Sequence, residues 1–392
     1  MLRVLIALGV SLVATVAVLP AAATPYLPGA DAEVLERLPE KNDASLRDLK
    51  RLRTALKQNP GDLALAVRFG KRAIEASRDS GDPRFLGQAQ AAMLPWWPLA
   101  DPPAPALLLR ATVKQSNHDF EGAMADLDRL IAKRPGDGQA LLTRATVLTV
   151  LGKYDAAHAD CASIARLTLP LVVAGCMAAP ASLSGEAGEA YAALTDALAQ
   201  EPRADAGLRE WALTLAGEIA ERRGDFAAAE KHYRAALAID SRDPYLIAVF
   251  SDFLLDRGRA GEALSLINDQ TRNDNLLLRL ALAEAKLPGA RMAFETHRQA
   301  LADRFEAAHR RGDSLHRREE ARYRLWIEND PKVALNLARE NWLVQREPAD
   351  LRILFEAASA AADTATLREV SAWTAAHRLD YVALQTAPGG RR

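Results

Sequence analysis

Gly224-Asp225-Phe226-Ala227-Ala228-Ala229 is the stretch whose reading decides the fold, because the same short pattern stands at three other places. These are Asp119-Phe120-Glu121-Gly122-Ala123, Gly152-Lys153-Tyr154-Asp155-Ala156-Ala157 and Gly258-Arg259-Ala260-Gly261-Glu262-Ala263. Phe120 to Tyr154 is a step of 34 residues, and Phe226 to Ala260 is another. A degenerate copy of similar length fills the gap between the two pairs. Each copy sits between two segments of helical spacing. In the first unit Leu107 and Ala111 lie four apart before the pattern, and Ala123, Leu127 and Leu130 share one stripe after it. Pro105 opens the first of these helices, where a missing N–H costs nothing. Arg134-Pro135-Gly136-Asp137 stops the second and caps its successor, since Pro breaks and Asp caps. With 49% hydrophobic residues, 6% aromatics and few alternating runs, the composition predicts an all-α chain with Ala at the helix contacts.

A 34-residue period in which an aromatic is followed three residues later by Ala resembles the tetratricopeptide repeat. The resemblance implies an all-α, right-handed α-solenoid of stacked helix-turn-helix units, each hiding its apolar side on the next. The clear array covers residues 106–274, where Gly217, Phe226, Ala229, Tyr233 and Ala236 hold the expected small and aromatic positions. Divergent helical repeats are expected at 46–94, pairing a helix over 46–58 with one over 63–78, and again at 275–384. That makes seven to nine helix pairs. Residues 95–105, a Pro- and Trp-rich loop with Trp96 and Trp97, interrupt the order. The loop either divides off an N-terminal subdomain or is simply ordered, and its tryptophans either cover the end of a stack or meet a partner.

The resemblance also implies a concave groove lined by the first helix of each unit. Trp211 and Tyr245 occupy matching groove positions in consecutive units, and continuing that register adds Thr214, Glu218, Arg222, Ala248, Asp252 and Asp256. Packing accounts for such aromatics about as well. Glu218 and Arg222 read equally as an ordinary i,i+4 support. Members of the family that grip a C-terminal carboxylate carry a fixed set of Lys and Asn. Leu108, Thr112, Leu142, Thr146, Gly175 and Ala179 stand at those positions here, so that mode of recognition is not expected.

The N-terminus reads as an export signal. Arg3 precedes an uncharged apolar run from Val4 to Leu19, and Pro20-Ala21-Ala22-Ala23 follows with an A-x-A pattern. This predicts a signal peptide over 1–23, a leader over 24–45, and a periplasmic or secreted protein with no stable membrane insertion after cleavage. The run is shorter than the roughly 20 residues needed to span a bilayer. Residues 385–392 read as a disordered tail. A formal net charge of −1 argues against a general nucleic-acid binder, which needs a basic surface.

Cys161 and Cys176 flank a turn near Thr168 at similar distances, which sets them level on antiparallel helices. They are read as a disulfide in an oxidising compartment, or else as a reduced contact pair. Seven scattered histidines show no ligand spacing, and no phosphate loop, dinucleotide fingerprint or nucleophile elbow occurs. No catalytic residue, metal or cofactor is therefore expected, and the protein is read as not an enzyme. Seven arginines between Arg304 and Arg324 form either a docking patch for an acidic partner or a solvated, salt-bridged face. The sequence thus points to a non-catalytic protein–protein interaction scaffold of the bacterial cell envelope that binds a peptide or protein partner. The alternative is an accessory module for export or processing of an envelope polysaccharide, with Trp211 as its stacking residue.

Overall fold

The computed structural model describes residues 44–385 apart from 81, 269 and 313–315. The signal peptide, residues 24–43 of the leader and residues 386–392 of the tail lie outside the described residues. Those described hold nineteen α-helices, one short 3-10 turn at Val382–Leu384 and no strand. A single helix, α1 (Ala44–Gln58), precedes nine hairpins. The first is α2–α3 (Leu63–Ser80, Arg84–Ala92), followed by α4–α5 (Ala104–Ser116, Phe120–Lys133), α6–α7 (Gly138–Val150, Tyr154–Ser163) and α8–α9 (Pro170–Ala181, Ala187–Gln200). Next come α10–α11 (Ala206–Arg222, Phe226–Ile239) and α12–α13 (Pro244–Asp256, Ala260–Ile267). The C-terminal third is α14–α15 (Asp274–Glu284, Arg291–Arg310), α16–α17 (Arg317–Trp326, Pro331–Val344) and α18–α19 (Pro348–Ala360, Thr364–Ala376). The even-numbered first helices touch one another in succession from α2 to α18, the contact order of stacked helix-turn-helix repeats.

Boundaries follow from capping chemistry. Asp119, Asp137, Asp225, Asp243, Asp330 and Asp363 each accept a hydrogen bond from a backbone N–H in the first turn of the helix that follows. Within a hairpin, small residues let the helices close up. A Cβ on Gly217 would come within 2.6 Å of the Tyr233 ring, so the fully buried ring rests on the α10 backbone. The 34-residue period carries a polar device as well. Arg110 donates to both carboxylate oxygens of Asp126 across α4–α5, and Arg144 does the same to Asp160 across α6–α7.

The N-terminal pairing differs from the expected one. α2 pairs with α3 and lies beside α4, leaving α1 outside the hairpin series. Phe69, Ala73 and Ala76 of α2 share one core with Ala89 and Ala92 of α3 and with Leu109 and Val113 of α4. Burial on both sides makes α2 a first helix. Trp96 and Trp97 pack on that same cluster, and Arg110 Nη1 donates to the carbonyls of Trp97 and Leu99. The loop therefore divides nothing, because the core runs beneath it.

The C-terminal hairpins do not continue away from the array. Tyr154 and Leu183, from the α6–α7 and α8–α9 hairpins, lie in one core with Ala338, Trp342, Leu354 and Val370 of α17 to α19. The Arg346 N–H donates to the Val150 carbonyl at 2.7 Å, 196 positions back along the chain. Near the other end, α2 touches α12.

Candidate partner-binding cavity

α10 and α12 present acidic and basic residues one helical turn apart, and α16, α18 and the C-terminal segment cover that face. The space between them is a cavity of about 680 Å³, partly open to solvent. Four of the sequence-derived candidates line it: Glu218 and Arg222 from α10, Asp252 and Asp256 from α12. The other four lie elsewhere. Trp211 is seated on Gly175 of the preceding hairpin, so close that a Cβ there would meet its ring. Thr214 is buried and donates to the Glu210 carbonyl. The Tyr245 ring is exposed, although its hydroxyl donates to Glu218 Oε1 at 2.6 Å. Ala248 is buried, and its carbonyl accepts from Arg279 Nε.

Glu218 and Arg222 do not form the i,i+4 ion pair that their spacing suggests. No N–O approach within ion-pair distance exists between them, because each side chain is engaged off the helix. Glu218 accepts from Tyr245, and Arg222 Nη2 donates to the Ser182 hydroxyl at 2.9 Å while its Nε has no partner.

The opposite wall comes from residues that the repeat pattern did not single out for the groove. Arg322 of α16 donates from Nη2 to Asp252 Oδ1 at 2.6 Å and from Nη1 to Oδ2 at 3.0 Å. Arg279 of α14 reaches the same carboxylate at 2.7 Å. Burial works against a charge on Asp252, yet the two guanidinium groups outweigh it and hold the carboxyl well below its ordinary range. Arg352 of α18 makes a bidentate pair with Asp256 at 2.6 and 2.7 Å and a further bond to Glu356 at 2.8 Å. Trp326 Nε1 donates to Glu356 at 3.2 Å.

The arginine segment is thereby neither a free docking patch nor a merely solvated face. Arg304, Arg310, Arg317, Arg318, Arg322 and Arg324 are all in ion pairs, and those of Arg318 and Arg322 cross to other hairpins.

Glu221 is the outlying acid. It has no cation within ion-pair distance among the described residues and accepts only the Tyr233 hydroxyl, at 2.7 Å. Burial pushes its carboxyl up to about 7, the Tyr233 bond only partly opposing this. Burial likewise raises Glu218.

The last wall is the chain end. Tyr381 and Ala383 line the cavity. Burial drives the Tyr381 phenol well above its usual value, and its charged neighbours are Arg352, Glu221, Arg222 and Asp256, from three different helices. The segment leading there runs along the hairpin turns. Trp373 meets Gly152, Arg378 meets Gly185 and Val382 meets Gly224, where an added Cβ would fall 2.7, 2.9 and 3.1 Å from the respective side chain. All three glycines have left-handed φ, +72°, +92° and +84°, which glycine adopts without the steric cost other residues incur.

Cys161 and Cys176 form a disulfide between α7 and α8, with Cα atoms 5.5 Å apart. Among the described residues no group of three His, Cys, Asp or Glu is arranged to hold a metal ion, and no helix is long and apolar enough to cross a membrane. The cavity is built to pair charges and hold aromatic rings, with Trp326, Tyr233 and Tyr381 on its walls.

Fold and cavity together define a class: an α-solenoid of hairpins of the tetratricopeptide type, folded back on itself. No family model matches the chain, and no curated protein does. Among solved structures it is similar to a tetratricopeptide repeat protein from Parabacteroides merdae, with 16% identity over 61% of this chain and 92% of that one and a TM-score of 0.45. It is also similar to a structure of the APC/C hetero-tetramer Cut9–Hcn1, with 15% identity, a TM-score of 0.43, and 80% of this chain against 52% of that one. A human IFIT1 dimer with m7Gppp-AAAA gives 12% identity, a TM-score of 0.43, and 87% of this chain against 84% of that one. The helix pairing described above, rather than these distant likenesses, carries the fold.

Proposed function

We propose that the protein is a non-catalytic interaction scaffold of the bacterial cell envelope, periplasmic or secreted, which grips a short peptide segment of a partner protein in the cavity between α10, α12, α16 and α18. The cavity carries this reading. Its volume of about 680 Å³ suits a few residues of chain and not a folded domain, as it falls within the roughly 300–1,000 Å³ of ordinary ligand sites. Opposed ion pairs hold its walls rigid, and Trp326 and Tyr381 supply aromatic surface between them. The export pattern at residues 1–23 and the Cys161–Cys176 disulfide support an oxidising compartment. A polysaccharide role would draw on Trp211, whose ring rests on Gly175 outside the cavity with its other face exposed to solvent.

Selection from a phage-displayed library of random heptapeptides tests the reading. Wild type should enrich a consensus sequence that a Trp326→Ala/Asp256→Lys variant, with unchanged helix content, does not retain. No enrichment by wild type would sink it. Fractionation of cells expressing the chain with and without residues 1–23, with the mass of the mature N-terminus, tests the location.

A further inference from the structure

The contacts at Gly152, Gly185 and Gly224 follow the order of the chain that covers them, Trp373, then Arg378, then Val382. Successive contacts are five and four residues apart on the covering segment. From Trp373 the last three residues of α19 advance about 1.5 Å each and the two beyond it about 3.3 Å each, and the interval from Arg378 to Val382 is non-helical throughout, so each spans one inter-helix step of roughly 8–10 Å. Arg378, at φ +50°, takes up part of the excess length. The turn row is therefore matched in register to one particular segment.

We propose that the turn glycines Gly185 and Gly224 form an interaction surface whose occupant, residues 377–385 of the same chain, is a detachable strap anchored at α19, whose Trp373 stays on Gly152. Seated, it walls the cavity with Tyr381 and Ala383. Released, it admits the partner segment. The proposal rests on the scaffold reading of the cavity and adds control of access to it.

Detachment follows from how unevenly the chain end is held. Within 377–385 only Leu379 is buried, with Tyr381 and Leu384 packed on the same C-terminal core, and the other residues are half-buried or exposed. Among the described residues one hydrogen bond reaches the array from this stretch, Arg378 Nη2 to the Ser184 carbonyl at 3.2 Å. α18, directly beneath, buries Leu351, Ile353 and Leu354 and is bolted to α12 through Arg352 and Asp256. Local opening is easiest where burial and bonding are sparsest, and here that place is the cavity wall. The strap can leave while α18 stays.

Thiol labelling tests this directly, because both native cysteines are bonded to each other and an introduced cysteine is the only free thiol. Val249 lines the cavity, so Val249→Cys reports access to it. In a chain ending at His377 the maleimide rate at this position should rise about tenfold or more over the full chain. Ser265→Cys, on the exposed side of α13, should label equally in both. Should the truncated chain lose helix content, Val382→Asp in the full-length chain replaces it with the same expectation. Hydrogen exchange of the unaltered protein is the second measurement, with amides of 378–385 about 100-fold less protected than those of α10. Equal labelling rates, or strap amides as protected as α10, would overturn the proposal. Peptide selection by wild type with no labelling gain would remove the strap and leave the scaffold. A labelling gain with no peptide selected would remove the scaffold reading alone.

Discussion

The central hairpins, α4 to α13, and the C-terminal ones, α14 to α19, are held by different forces. In the central array small residues lie under large ones, Gly217 beneath Tyr233 within a hairpin and Gly175 beneath Trp211 between two successive hairpins. Its ion pairs are local: Arg110 with Asp126, Arg144 with Asp160. In the C-terminal third the decisive ion pairs reach backwards, from Arg322 to Asp252 and from Arg352 to Asp256, 70 and 96 residues away. One region is a stack of neighbours. The other is a set of clamps that folds the stack around a cavity.

Four variants would break or sharpen that contrast. The largest effect is expected from Asp252→Ala, which leaves Arg279 and Arg322 buried without their carboxylate and should cost about 3–5 kcal/mol. Hydrogen exchange should show α14 to α19 losing protection while α4 to α9 keep theirs; uniform loss would mean the two regions are one cooperative unit. Cys161→Ala/Cys176→Ala removes a covalent link inside the array whose cysteines are 15 residues apart. A loop of that size contributes about 3 kcal/mol on the chain-entropy model, so denaturant unfolding should lose stability from the array outward.

Gly217→Ala forces a methyl against the Tyr233 ring and should cost roughly 1–3 kcal/mol by overpacking. Its melting temperature should fall while the labelling rate at Val249→Cys stays unchanged. The smallest effect is at Glu221. Its folded carboxyl titrates at about 7, above the unfolded value, so the folded chain binds more protons between roughly pH 4.5 and 7 and stability falls as pH rises through that window. Glu221→Gln, which keeps an acceptor for Tyr233, should therefore stabilise by about 1–2 kcal/mol at pH 8 after allowance for solvent screening, and by nothing near pH 4.5. Melting temperatures of both proteins across that range provide the check.

What the sequence disclosed follows the same division. Phe226, Tyr233 and Gly217 recur at fixed spacing because each repeat must solve the same packing problem with its neighbour, so the central hairpins could be read from the period. The acids of the cavity were legible too, since Glu218, Asp252 and Asp256 share a register with their helix faces. Their partners were not. Arg322 sits in a segment whose arginines read as a docking patch or a solvated face, Arg352 lies outside that segment in α18, and no local pattern says that either turns inward. The place of α2 as a first helix was not legible, because it shows only in the burial of α2 against both α3 and α4. The strap was invisible for a plainer reason. Trp373, Arg378 and Val382 match glycines about 220, 190 and 160 positions earlier, and a contact across such a distance leaves no spacing to read.

The seating of Trp373, Arg378 and Val382 on Gly152, Gly185 and Gly224 also bears on how this molecule can change over generations. An open-ended repeat protein gains or loses a unit at little expense, since each module meets only those next to it. Here a duplicated or deleted module between residues 152 and 224 would shift every later foothold by one place and strand the tail. The number of modules is locked, much as the tooth count of a gear is locked by the wheel it must mesh with.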